Sequence, residues 1–179
     1  MNNLLFNNKF TACHYKPVCT DKKYIVVHYQ GSLADAEGTA RYFAHTDRSV
    51  SSHFVVGNNV IYKCLDPDLV AWHIGHGNDK IKNRNAIGVD LIADKLNQKA
   101  CRASDRDWFI TADVWENGLN LIASLMTEYN IPLKHVVRHY DVTGKLCPRP
   151  FCGSDINEVY QRSGDEVWYL FKNNLRELI

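Results

Sequence analysis

The sequence lacks both a large net charge and a long apolar run. Lys and Arg together number 21 and Asp and Glu number 20, which gives a formal net charge of +1. This balance excludes the broad single-sign field that nucleic-acid or anionic-membrane binding uses. No apolar run approaches the roughly 20 residues that a membrane-spanning helix needs. We therefore expect neither nucleic acid nor membrane as a partner.

The amino-terminal residues also lack the features of a secretory signal. Residues 1–10 are rich in Asn and contain no basic stretch followed by an apolar one. Such a segment is not typical of a signal peptide. We expect synthesis in the cytoplasm, so any target outside the membrane is reached by another route.

Cysteine is present in an even number, but the context does not favour disulfides. Disulfide frameworks belong to small secreted chains, so we expect mostly reduced thiols. Cys64 lies in an apolar run and is predicted to be a small buried side chain. Cys13 and Cys19 flank His14, yet their spacing matches no strong metal-binding pattern. The six cysteines stand at positions 13, 19, 64, 101, 147 and 152.

The hydrophobic patterning predicts an α/β fold with a central mixed sheet flanked by helices. The length of 179 residues fits one domain, and the 45% hydrophobic content is ordinary for a globular chain. Strand-like runs occupy residues 24–29, 52–56, 60–64, 85–93 and 135–142. Helical patterns occupy residues 34–45, 107–130 and 165–178, with Thr111 or Asp113 available as a cap for the second.

The segment from His139 to Pro148 indicates chemistry rather than packing. Lys145 and Cys147 follow His139 at offsets of six and eight. Imidazole and thiolate are preferred zinc ligands, and a lysine between them would lie beside whatever the metal activates. His28, at the end of an apolar strand, is the best third ligand.

Each of these residues also has a simpler interpretation. His28 alone would more often be a core histidine, and Cys147 alone a buried thiol. The combination with Lys145 and Pro148 favours a metal site. A thiol hydrolase that uses Cys147 and His139 is a rival interpretation, which chelator sensitivity would test.

Five segments together resemble the zinc-dependent N-acetylmuramoyl-L-alanine amidases. That family shares its fold with amidase-type phage lysozymes and peptidoglycan recognition proteins. Each segment is weak alone, but the five occur in the family's order across residues 23–150. They are IVVH (25–28), VSSHFVV (50–56), AWHIG (71–75), AIGVD (86–90) and the histidine, lysine, cysteine and proline of residues 139–148.

The resemblance implies a role for each matching residue. His28, His139 and Cys147 fall where the family binds one zinc ion. Lys145 falls where many members place a cation that stabilises the oxyanion. Asp90 falls where several members carry a glutamate as general base, although aspartate is one methylene shorter. A strand carboxylate paired with a nearby Arg or Lys is the alternative for Asp90.

Three further residues are predicted to contact substrate. Ser52 occupies the position of a catalytic tyrosine in the lysozyme branch, so that tyrosine role is absent. Trp72 and His73 resemble a cleft wall beside the metal, where aromatic surface suits a sugar-peptide substrate. The alternative is that Trp72 is core and His73 alone is exposed. We expect a structural or supporting role for His53. The remaining histidines, His14, His45, His76 and His135, are interpreted as surface or loop residues.

The implied activity is hydrolysis of the amide between N-acetylmuramic acid and L-alanine in bacterial peptidoglycan. Without a signal sequence, we expect a lytic phage endolysin, released to the cell wall through a holin-type pore. A cytosolic amidase that recycles wall fragments and a non-catalytic peptidoglycan-binding module are the alternatives. We expect one catalytic domain over residues 1–179. No separate wall-binding domain is visible in this sequence: either the protein lacks one or the sequence ends before it.

Overall fold

The structure is a computed structural model that describes residues 5–179. The first four residues of the Asn-rich segment lie outside the described residues. The strands are β1 (Phe6–Asn7), β2 (Tyr15–Lys16), β3 (Tyr24–Tyr29), β4 (Phe54–Val56), β5 (Ile61–Lys63), β6 (Val70–Ala71), β7 (Ala86–Leu91), β8 (Ala93–Lys95), β9 (Trp108–Ile110), β10 (Val136–Arg138), β11 (Ile156–Asn157) and β12 (Arg162–Ser163). The α-helices are α1 (Ala36–His45), α2 (Ala112–Glu128), α3 (His139–Thr143) and α4 (Gly164–Arg176).

A mixed sheet forms the centre of the fold. Across the described residues it contains six strands in the order β1-β5-β4-β7-β3-β10. Strands β4 and β5 run antiparallel, and their turn is closed by a 2.9 Å hydrogen bond from the Gly57 N–H to the Val60 carbonyl. The other neighbouring pairs are parallel. The predicted α/β fold with a central mixed sheet is confirmed.

The alternation of side chains along β3 separates the two faces of the sheet. Ile25 and Val27 belong to the largest apolar cluster, which includes the buried faces of α2 and α4. Val26 points to the opposite face, where it packs near Val142 of α3. His28 shares the face of Val26, because it is two residues further along the strand. The sequence period therefore places the histidine under α3 rather than in the main core.

The three longer helices begin at side-chain caps. Asp35 accepts a hydrogen bond from the Gly38 N–H at 2.7 Å and starts α1. Thr111 caps α2, which selects one of the two predicted caps. Ser163 and Glu166 form a capping box at the start of α4. Such caps satisfy amide groups that have no partner within the helix.

Two secondary-structure predictions were wrong at their boundaries. Residues 108–110 form β9, which pairs with β8, so the helical pattern begins only after the cap at Thr111. The strand predicted for residues 135–142 ends at Arg138, and α3 begins at His139. The Asp141 carboxylate accepts a hydrogen bond from the Arg138 N–H at 2.8 Å, which turns the chain into a helix.

Within residues 5–179, every helix is too short or too polar to cross a membrane. The six cysteines are free thiols, and Cys64 is buried as expected.

Candidate active site

Three parallel strands deliver the site residues to one edge of the sheet. His28 lies near the carboxyl end of β3 and is directly paired in register with Asp90 on β7. Strand β10 lies on the other side of β3, and His139 follows its last residue. Because parallel strands end at the same edge, these three side chains converge there.

The loop after α3 completes a compact cluster of donor atoms. His28, His139 and Cys147 each offer one ligand atom, and these atoms lie within 4.8 Å of one another. The Cys147 Sγ lies 3.7 Å from the His28 Nδ1. Tetrahedral zinc with ordinary bond lengths would separate a sulfur and a nitrogen ligand by about 3.6 Å. The cluster therefore has the dimensions of a zinc site.

The protonation and hydrogen bonding of the ligands also fit a metal ion. The His139 Nδ1 is buried and has no hydrogen-bonding partner among the described residues. Burial lowers the pKa of His28 far below its ordinary value and that of His139 to about 4, so both rings are neutral at pH 7. Burial raises the pKa of the Cys147 thiol, an effect that a bound cation would reverse. Two neutral imidazoles and one thiolate suit zinc.

His73 orients the His28 ring. Its Nδ1 lies 2.9 Å from the His28 Nε2, which leaves the His28 Nδ1 to face Cys147. Hydrogen bonds of this kind fix the tautomer of a metal-binding histidine. Gly88 makes room for this contact, because a Cβ at Gly88 would lie 2.9 Å from the His73 ring and 2.8 Å from the Ser52 Oγ. His73 is therefore close to the metal cluster, and it lines the cavity although only 8% of it is exposed.

His53 supports the strand behind the site. Its Nδ1 accepts a 2.9 Å hydrogen bond from the Gly88 N–H, and its Nε2 lies 3.1 Å from the Leu69 carbonyl. Burial lowers its pKa to about 3, so the ring is neutral. With both ring nitrogens bonded to backbone, His53 fits the structural role expected for it.

Asp90 is a buried carboxylate at the edge of the cavity. Burial raises its pKa to about 6. The Ser52 hydroxyl opposes this rise as a polar neighbour, although its oxygen makes no hydrogen bond of good geometry within the described residues. The ion pairs found among residues 5–179 do not include Asp90, so the alternative of a paired strand carboxylate finds no partner.

A cavity of about 640 Å³ opens beside the cluster. Lys145 is exposed and lines this cavity together with Asp90 and the three metal-binding candidates. Residues of α1 and of the loop that follows also line the cavity, and three of their side chains are polar groups that the sequence patterns did not single out. They are Thr39, whose buried hydroxyl has no hydrogen-bonding partner in the described residues, Tyr42 and the exposed Arg48.

Two of the three residues predicted to contact substrate do not line the cavity. Ser52 is fully buried and does not line the cavity, which argues against the predicted contact with substrate. Trp72 is 37% exposed but is not part of the cavity lining, whereas the more buried His73 is. The alternative of a core Trp72 with an exposed His73 is also wrong.

Cys13, His14 and Cys19 are not brought together as a group of potential metal ligands. Cys13 and Cys19 are exposed, and the His14 Nε2 lies 2.8 Å from the Thr46 carbonyl. Among residues 5–179, His28, His139 and Cys147 form the one group of potential metal ligands whose donor atoms lie close together.

A family model described as N-acetylmuramoyl-L-alanine amidase matches residues 17–150. The chain belongs to this amidase family. The match contains the histidines, Asp90 and Cys147 of the site, and it extends slightly beyond the residues 23–150 that carry the sequence motifs.

Curated relatives and a solved structure agree with this assignment. N-acetylmuramoyl-L-alanine amidase CwlH of Bacillus subtilis (strain 168) is 36% identical over 129 residues, which are 70% of this chain and 47% of that protein. XlyA of the same organism is 37% identical over 129 residues, covering 70% and 39% respectively. The chain thus spans less than half the length of these two relatives. A solved mutant endolysin from Bacillus subtilis is 30% identical, with a TM-score of 0.72 over 96% of this chain and 99% of that one.

Proposed function

We propose that this chain hydrolyses the amide bond between N-acetylmuramic acid and L-alanine in bacterial peptidoglycan, with one zinc ion held by His28, His139 and Cys147. The observation that carries the proposal is the cluster of these three donors beside an unpaired carboxylate in one cavity. Membership of the amidase family supports the reaction class.

The protein ligands hold the metal and leave room for substrate. Three protein ligands with an open fourth position are typical of catalytic zinc sites. When bound, zinc supplies a Lewis acid that polarises a carbonyl group and makes water more acidic. His73 keeps the His28 ring in the orientation that this site requires.

Asp90 transfers the protons of the reaction. Its carboxylate accepts a proton from the attacking water and passes one to the leaving amine of L-alanine. A pKa of about 6, raised by burial, lies near neutral pH, where a group can both accept and donate. The reach of the short aspartate is helped by its position on β7, directly beside His28.

Lys145 offsets the charge that develops on the carbonyl oxygen. Its ammonium group lies on the rim of the same cavity and has no ion-pair partner within the described residues. One well-placed donor of this kind contributes about 3 kcal/mol to the transition state. Arg48 is a second exposed cation of the cavity and suits the carboxylates of a peptide stem.

We infer a lytic role on the cell wall, with residues 1–179 forming one catalytic domain. The solved endolysin that this chain resembles over almost its full length supports this choice. Release from the cytoplasm through a holin-type pore belongs to the same proposal. Peptidoglycan is the proposed partner, without nucleic acid or membrane binding.

The decisive experiment combines metal analysis with product analysis. Purified protein should contain about one zinc ion per chain and release new amine ends from purified cell walls, and a chelator should abolish that release. Wall binding without amine release would instead indicate a binding module, and activity that survives EDTA would indicate a thiol hydrolase. Activity on soluble muropeptides but not on intact sacculi would indicate a recycling enzyme.

A further inference from the structure

Helix α4 reaches the segment that carries two of the three proposed metal ligands. This helix follows residue 150, the last residue that the amidase family model matches. We propose that Arg138, Asp141 and Asp165, which we call the Arg138 clamp, position His139 and Cys147 for metal binding. This inference rests on the metal site of the proposed function.

The Arg138 side chain joins the two ends of the ligand-bearing segment. Its Nη2 donates to the Asp141 Oδ1 at 2.6 Å, and its Nε contacts the same carboxylate at 3.1 Å. Its Nη1 donates to the Phe151 carbonyl at 2.5 Å. His139 lies between Arg138 and Asp141, and Cys147 lies between Asp141 and Phe151. The guanidinium therefore closes the loop on which both ligands lie.

The same guanidinium ties this loop to α4. Its Nη1 also donates to the Asp165 Oδ1 at 2.5 Å, in the first turn of the helix. That carboxylate accepts a further hydrogen bond from the Gly153 N–H at 3.2 Å. Arg138 is buried, and a guanidinium offers donors in a planar fork that Lys cannot reproduce.

The start of α4 also packs closely against the loop at Cys152. A Cβ added at Gly164 would lie 2.4 Å from the backbone nitrogen and oxygen of Cys152. Only glycine allows this approach, so helix and loop meet backbone to backbone. Trp168, one turn further along α4, packs against Phe151 and lies 5.7 Å from the Arg138 guanidinium.

These contacts matter for metal affinity because they arrange the ligands before the metal arrives. Groups that orient metal ligands through hydrogen bonds contribute about tenfold to hundredfold in affinity. His28 does not depend on the clamp, since it lies on β3 of the central sheet and its ring is oriented by His73. Arg138 and Asp165 are thus positioning residues for the loop ligands, without contact to substrate.

The test measures zinc affinity of metal-free protein by competition with a chromophoric chelator, with thermal unfolding of the same samples. Asp165→Asn and Arg138→Lys should each raise the zinc Kd about tenfold to hundredfold. Asp155→Asn is the matched control, because Asp155 is a similarly exposed carboxylate paired with a buried arginine, Arg149. Ile122→Val, in the buried face of α2, controls for a general loss of stability.

Unchanged zinc affinity in both controls, with weakened affinity in the clamp variants, supports the inference. The clamp is rejected if Asp165→Asn binds zinc like Asp155→Asn, or if zinc affinity follows unfolding temperature in Ile122→Val as well. Should Arg138→Lys fail to fold, Asp165→Asn alone decides. A wild-type chain that binds no zinc would reject the proposed function and the clamp together, whereas normal wild-type binding with unaffected variants rejects the clamp alone.

Discussion

The two sides of the candidate site are held in place by different parts of the fold. On the strand side, His28 and Asp90 lie on paired central strands, so backbone hydrogen bonds fix their relative positions. On the loop side, His139, Lys145 and Cys147 lie on a five-residue helix and the loop after it. The strand side depends on the pairing of neighbouring strands and on the His73 contact, while the loop side depends on contacts with a helix far along the chain.

The largest expected effect comes from removing the loop-side thiolate. Cys147→Ser should lose stoichiometric zinc and reduce amine release to background, because a hydroxyl is a poor zinc ligand. Metal analysis and cell-wall digestion measure both. Cys152→Ser is the control, since Cys152 is also buried but its Sγ donates to the Pro148 carbonyl at 2.9 Å. A Cys147→Ser protein that retains one zinc per chain would exclude Cys147 as a ligand.

On the strand side, Asp90→Asn should separate chemistry from metal binding. The amide keeps the size of the side chain but cannot accept the proton, so kcat should fall about 10²–10⁴-fold at unchanged zinc content. Asp94→Asn on β8, outside the cavity lining, should keep full activity. Loss of zinc in Asp90→Asn would contradict the division of roles between the two sides.

The strand side was also the more predictable one from sequence. The apolar run of β3 predicts a strand from its local pattern alone, and His28 near its end was singled out as a ligand through its combination with the segment from His139 to Pro148. The helix at His139 was missed because its start depends on the Asp141 carboxylate, although an Asp three residues after Arg138 is a detectable signal. The role of His73 could not be predicted, since its contact with His28 joins residues 45 positions apart.

Lys145→Ala tests whether Lys145, the exposed residue of the loop side, contributes to turnover without contributing to zinc binding. Zinc content should stay at the wild-type value, while kcat falls about 10²–10³-fold, the usual effect of losing one oxyanion donor. Lys80→Ala removes another exposed lysine, outside the cavity, and should leave kcat unchanged. A full muralytic rate in Lys145→Ala would show that its assigned role is wrong.

The smallest expected effect is on the pH dependence of the free energy of unfolding. It has opposite signs for Asp90 on the strand side and His139 on the loop side. Burial raises the pKa of Asp90 from 3.8 to about 6, so between these values the folded protein binds more protons than the unfolded chain. Raising the pH through this window therefore lowers the free energy of unfolding, by up to about 3 kcal/mol. Burial lowers the pKa of His139 from 6.5 to about 4, so its contribution is instead lost as the pH falls through that range.

Asp90→Asn isolates the contribution of Asp90 to the pH dependence of stability, because the amide does not titrate and His139 is unchanged. In metal-free protein, the variant should gain stability relative to wild type as the pH rises from 4 to 7. Denaturant unfolding in the presence of a chelator measures this difference at each pH. An equal difference at pH 4 and pH 7 would mean that the pKa of Asp90 is the same in the folded protein and in the unfolded chain. Its carboxylate would then lack the raised pKa that suits it to move protons near neutral pH.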